Sequence, residues 1–190
     1  MKQMEEKILK EGQVLPGDIL KVGSFLNQNI DIELLGQMGK EIARLYEGER
    51  VTKILTIEAS GIAIAAAAGM AMGAPVLFAK KHRTSNVDGD VYATVVHSFT
   101  HGQDYNVVVS KDYLTSNDRV LLVDDFLANG KALRGLMDLV DQAGAELVGV
   151  AIAIEKCFTG AGDELRKQGL RLESLAAIES MSEDEIVFRS

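Results

Sequence analysis

The stretch Val120-Leu121-Leu122-Val123-Asp124-Asp125-Phe126-Leu127-Ala128-Asn129-Gly130-Lys131-Ala132 constrains the fold more than any other part of the chain. Four consecutive apolar residues read as a strand buried on both faces, as strands are in a parallel sheet covered by helices. The strand delivers two adjacent carboxylates to its end. A short polar loop follows, and then a helix over 130–143 with Leu133, Leu136, Met137 and Val140 on its buried side. In open sheets of this kind, ligands bind at the carboxyl ends of strands.

The remaining pattern repeats this alternation. Residues 31–46 place Ile32, Leu35, Met38, Ile42 and Leu45 at helical intervals, 51–57 read as a strand, and 61–72 as an Ala-rich helix. Gly73 and Pro75 stop that helix, 76–79 form the next strand, and 148–154 read as another buried strand. Between them, 80–110 break the pattern with a Lys/His/Arg run, an Asp88-Gly89-Asp90 turn signal and two polar β-rich stretches over 91–98 and 105–109. This excursion reads as a hairpin flap. A short helix over 163–167 and two stretches, 170–178 and 186–188, complete the chain. The whole is an α/β fold in a single domain, 1–190: a central, largely parallel sheet flanked by helices. Residues 1–30 and about 156–190 are expected to form a small hood.

Composition narrows the function. The 190 residues are 47% hydrophobic, enough for a sizeable core. The formal charge of −8 opposes non-specific capture of nucleic acid. The most apolar run, 61–74, is shorter than the ~20 residues that cross a bilayer, so no membrane partner is expected. One cysteine, Cys157, rules out an intrachain disulfide and fits a reducing, cytoplasmic setting. His82, His97 and His101 form no HExxH, and neither GxSxG nor a Walker A loop is present.

Several positions offer chemistry, each beside a plainer alternative. Backbone N–H groups from Ala128 through Ala132 can surround a phosphate at a helix start, with Lys131 as a further donor. Asp124 and Asp125 can accept from vicinal hydroxyls or reach Mg2+. The alternative is one helix-capping carboxylate and one solvated one. Thr56-Ile57-Glu58-Ala59-Ser60-Gly61 is a second strand, turn and helix start, whose amides can cradle an anion, or Ser60 is an ordinary N-cap and Gly61 simply permits the bend. Lys80-Lys81-His82-Arg83 faces solvent or a polyanion. Lys156 either pairs with Glu155 at the surface or recognises an electron-rich heterocycle. Leu20 can cover a flat ring and Asn27 can bond to it, or both are structural.

The acidic pair and its glycine-containing loop resemble the signature of the type I phosphoribosyltransferases. Glu58-Ala59-Ser60-Gly61 stands as the pyrophosphate-loop counterpart, with Lys80-Lys81-His82 at the next strand end, Asn27 near the start and Ile154-Glu155-Lys156 late, so the resemblance covers almost the full length. It implies transfer of the phosphoribosyl group from 5-phosphoribosyl 1-diphosphate (PRPP) to N9 of a purine, with Mg2+ as cofactor and a homodimer as the assembly. It assigns the 5'-phosphate to Ala128, Asn129, Gly130, Lys131 and Ala132, the ribose hydroxyls and metal to Asp124 and Asp125, and pyrophosphate to Glu58, Ala59, Ser60, Gly61 and Lys81. Purine contacts fall to Leu20, Asn27, Phe126 and Lys156, and a lysine there favours xanthine, whose C2 oxygen is an acceptor.

Two departures matter. Asn129 and Ala132 stand where the family often carries threonine, which removes hydroxyl donors to phosphate. Ala128 stands where many hypoxanthine–guanine enzymes carry a carboxylate, which weakens those bases as substrates. A guanine- or hypoxanthine-preferring enzyme and a non-catalytic PRPP-binding regulator are the alternative readings.

Overall fold

The computed structural model describes residues 1–81, 89–98 and 103–189. Its centre is a six-stranded sheet in the order β10-β9-β8-β7-β3-β4. These strands are β3 (Lys53–Ile57), β4 (Val76–Ala79), β7 (Arg119–Leu127), β8 (Glu146–Lys156), β9 (Leu172–Met181) and β10 (Ile186–Phe188). All neighbours run parallel except β10, which pairs antiparallel with β9 at the edge.

Side chains on a strand alternate between faces, and β7 shows the consequence. Leu121 and Val123 join the core under α2 (Ile32–Leu45) and α3 (Gly61–Met72). Val120 and Leu122 join the core under α4 (Lys131–Gln142) and α5 (Ala161–Lys167). A strand apolar at every position is therefore the central one. Asp31 caps α2 by accepting from the Leu34 N–H at 3.1 Å.

Three differences from the sequence reading have physical causes. The apolar run stops at Val123, yet β7 continues to Leu127 because its backbone keeps pairing with β8 through Leu127 and Glu155. The acidic pair thus sits within the strand rather than beyond its end. β8 likewise reaches Lys156. Finally, the stretches after residue 170 are strands of the main sheet, not a separate layer: Leu172, Leu175, Ala176 and Ile178 of β9 are buried across both core faces.

The N-terminal segment leans on that sheet. Helix α1 (Lys2–Glu11) buries Met4 and Ile8, and the terminal amine of Met1 donates to the Leu175 carbonyl of β9. A hairpin of β1 (Gln13–Leu15) and β2 (Ile19–Lys21) follows, then a π-helical turn, Gly23–Asn27.

The excursion contains an antiparallel pair, β5 (Val91–Ser98) and β6 (Gln103–Ser110). It packs on α4, where the Val96 side chain lies over Gly135, and is tied to β4 through reciprocal backbone bonds between Lys80 and Val108 of 3.0 and 2.9 Å. His82, Arg83, Asp88 and His101 lie outside the described residues. Among the described residues no helix is long and apolar enough to cross a membrane.

Candidate active site

The carboxyl ends of β8, β7, β3 and β4 lie side by side, and every functional candidate except Leu20 and Asn27 sits on them or on the turns that leave them. Asp124 is 6% exposed. Its Oδ1 accepts from the Asp125 N–H at 2.9 Å, and the Asp125 Oδ1 accepts from the Phe126 N–H at 3.0 Å. Burial, reinforced by the neighbouring Asp125 charge, pushes the Asp124 carboxyl well above its ordinary range, while Lys81 pulls it down. A cation or hydroxyl donors at this position would stabilise the ionised carboxyl that burial disfavours.

The next turn is the loop expected to hold a phosphate. Gly130 has φ +75°, which glycine adopts freely, and α4 begins at Lys131. The Asn129 Oδ1 accepts from the Lys131 N–H at 3.1 Å. That amide, expected among the phosphate donors, is engaged by the Asn129 side chain here.

Beside it runs the turn from β3 into α3. The Glu58–Ala59 peptide is cis. Glu58 is clamped at both ends: its N–H donates to the Ala79 carbonyl at 3.1 Å, and its Oε1 accepts from the Lys81 N–H at 2.7 Å. Ser60 makes no side-chain capping bond, so the ordinary N-cap alternative is not what forms. Gly61 is packed so tightly that a Cβ there would lie 2.2 Å from Thr56 Oγ1 and 2.9 Å from Asp124 Oδ1. Thr56 is fully buried, and its hydroxyl has no hydrogen-bond partner among the described residues.

Two residues without an assigned role in the sequence reading belong here. Thr56 brings that buried hydroxyl to the floor beside Asp124; its one trace is that it is the polar residue inside an otherwise apolar strand end. Tyr105, on β6, brings its ring 5.5 Å from the Lys81 Nζ, and burial, then the Asp124 charge, raises its phenol pKa. No local pattern announces Tyr105, because a long-range fold puts it there.

The purine-side candidates form a second group. The Lys156 Nζ donates to the Asp18 carbonyl at 2.6 Å and lies 5.6 Å from the centre of the Phe126 ring. Half-burial lowers its pKa. Asp18, at φ +59°, turns the β1–β2 hairpin, whose Leu20 is buried. Asn27 ends the π-helical turn and is exposed. The surface pair of Lys156 with Glu155 does not form. Glu155 is fully buried on the other side of the strand and takes a bidentate bond from Arg166, at 2.8 and 2.6 Å, plus one from the Ser174 hydroxyl. Burial alone would raise the Glu155 pKa, but the Arg166 and Ser174 bonds hold it below its ordinary range.

The phosphoribosyl transferase domain model matches residues 26–173, the span that carries the acidic pair, both strand-to-helix turns and Lys156. The chain belongs to that family. At 51% identity over all of this chain and 98% of its own length, it is similar to a protein named xanthine phosphoribosyltransferase from Lachnoclostridium phytofermentans. Similar proteins of that name occur in Bifidobacterium longum, at 52% identity over the whole of both chains, and, as xanthine phosphoribosyltransferase 1, in Clostridium perfringens, also at 52% over both. Among solved structures, adenine phosphoribosyltransferase from Giardia lamblia superposes with a TM-score of 0.77, covering 90% of this chain and 96% of its own at 20% identity. The enzyme from Rhodothermus marinus gives 0.72, with 92% and 98% covered at 19% identity. These structural likenesses are of fold.

Proposed function

We propose that this chain transfers the phosphoribosyl group of PRPP to N9 of xanthine, giving xanthosine 5'-monophosphate and pyrophosphate. The bond from the anomeric carbon to the pyrophosphate oxygen breaks, the bond to N9 forms, and the N9 proton is released. Full-length relatives more than 50% identical carry that name. The observation that carries the choice of base is Lys156, a half-buried ammonium held over Phe126. A donor with no acceptor capacity suits the C2 oxygen of xanthine and cannot satisfy a C2 amine.

In this reading the chain contributes positioning and electrostatics rather than a nucleophile. The 128–132 loop and the α4 N-terminus hold the 5'-phosphate. Asp124 and Asp125 accept from the ribose hydroxyls and stabilise positive character at the anomeric carbon. Glu58 to Gly61 with Lys81 receive the departing pyrophosphate, while Leu20, Asn27, Phe126 and Lys156 hold the purine.

The same residues fit Mg2+. No group of three or more His, Cys, Asp or Glu forms a cation cage among the described residues, but Mg2+ is commonly held by one or two carboxylates together with substrate phosphates. The raised pKa of Asp124 is what a nearby divalent charge relieves. Bound with PRPP, the ion would neutralise the diphosphate as it leaves. A homodimer belongs to the same proposal, supported by the apolar α2–α3 face, where Ile32 and Met70 are exposed. So does a cytoplasmic setting, which suits the single thiol.

Lys156→Ala tests the base assignment. It is expected to raise the KM for xanthine at least tenfold, about 1.4 kcal/mol, while the KM for PRPP changes less than threefold. Equal losses in both would overturn the role given to Lys156.

A further inference from the structure

The phosphate loop continues β7, which also carries Phe126, while Lys156 ends the neighbouring strand β8, and one hydroxyl bridges the two strand exits. The turn Cys157–Thr159 leaves β8 directly after Lys156. Thr159 Oγ1 lies 2.8 Å from the Lys156 carbonyl and 2.6 Å from the Ala128 carbonyl. The second acceptor belongs to a residue 31 positions away, so the contact is tertiary. The neighbouring packing points the same way: a Cβ built on Gly130 would lie 3.4 Å from the Ala161 Cβ, which places the 128–130 loop directly against the start of α5.

We propose that Thr159 is a positioning residue that couples the phosphate loop to the purine-recognition lysine. It rests on the site reading above, and it assigns a function to a residue that reading gives to neither substrate. Its hydroxyl proton is shared between two carbonyls, one on the first residue of the phosphate loop and one on Lys156. The β7–β8 ladder ends at Leu127 and Glu155, and beyond that last pair the bond holds the phosphate loop against the Lys156 backbone, and with it the line of approach of N9 to the anomeric carbon. Misplacement of about 1 Å between reacting groups costs large factors in rate. Thr159 is itself exposed, so removing its hydroxyl leaves no core cavity, and a kinetic effect can be separated from a folding one.

Two variants test it: Thr159→Val, which keeps the branched shape and loses the hydroxyl, and Thr159→Ser, which keeps the hydroxyl. KM for PRPP and KM for the purine are measured with whichever purine the wild-type chain uses best. If none is turned over, dissociation constants for PRPP and xanthine replace them. In T159V both constants rise together, about two- to tenfold, as loss of one neutral hydrogen bond gives. The melting temperature falls by no more than about 6 °C, so the chain stays folded at 25 °C where the constants are read, and T159S restores both constants. Unchanged constants in T159V, a change in only one, or failure of T159S to rescue overturns the coupling. Preference for another purine by the wild type would overturn the base assignment alone, because the paired response is read with the purine actually used.

Discussion

Gly61→Ala adds one methyl group at the point where β3, β7 and α3 converge. The new Cβ would sit 2.2 Å from Thr56 Oγ1, which is 0.8 Å inside the 3.0 Å that real Cβ contacts essentially never breach. Thr56 has no room to retreat, being fully buried in a strand paired on one side with β4 and flanked on the other by β7. Overpacking of this kind costs about 1–3 kcal/mol. The better helix propensity of alanine returns at most about 1 kcal/mol, and less at the first helical position. A net loss of about 1–2 kcal/mol lowers the melting temperature of a chain this size by about 2–8 °C. The same methyl lies 2.9 Å from Asp124 Oδ1, so the strain reaches the carboxylate assigned to the ribose. About a tenfold loss in kcat/KM for PRPP is expected, some 1.4 kcal/mol of transition-state stabilisation. Thermal melts and initial rates at varied PRPP read both effects. Adding Thr56→Ala to G61A removes the obstructing oxygen and should recover part of each, a coupling absent from additive sites. A G61A chain with unchanged melting temperature and kcat/KM, or a strictly additive double variant, refutes the reasoning.

Three further outcomes follow from buried charge. Arg166→Met strands the fully buried Glu155 without its bidentate partner, and a melt should show a loss of about 3 kcal/mol or more. The pH dependence of that loss has a defined sign. In the wild type the lowered Glu155 pKa contributes stability that is complete above the unfolded value of about 4.3 and is lost as pH falls through the lower folded value. In R166M the unpaired carboxyl shifts upward, so the gap between variant and wild-type melting temperatures narrows from pH 7 to pH 5; a constant gap would contradict the pairing. Asp124→Asn removes a buried charge pressed against Asp125, so without substrate it should melt about 2 °C or more above wild type while losing at least tenfold in kcat; a lower melting temperature would count against the electrostatic account.

Elements with strong local signals were legible in the sequence, and sites built across distance were not. The helix over 61–72 and the strand over 76–79 match residue for residue, because Gly73 ends the one and Pro75 precedes the other. The ends of β7 and β8 exceed the reading because hydrophobic patterning reports where side chains go, whereas pairing is a property of two backbones. For the same reason β9 looked like part of a hood: its register with β8 is invisible in one sequence. The acidic pair and the two turns announced themselves as contiguous motifs. Tyr105 and Thr159 did not, and neither did the Lys156 bond to Asp18, which joins residues 138 positions apart. Their signal is a contact, and only the fold creates it.

Initial rates with PRPP and Mg2+ across xanthine, guanine, hypoxanthine and adenine, with nucleotide and pyrophosphate both quantified, test the central claim most directly. The account predicts the highest kcat/KM for xanthine, with xanthosine 5'-monophosphate and pyrophosphate formed in equal amounts. Preference for another purine would contradict the role of Lys156, and absence of transfer to any of them would contradict the enzyme itself.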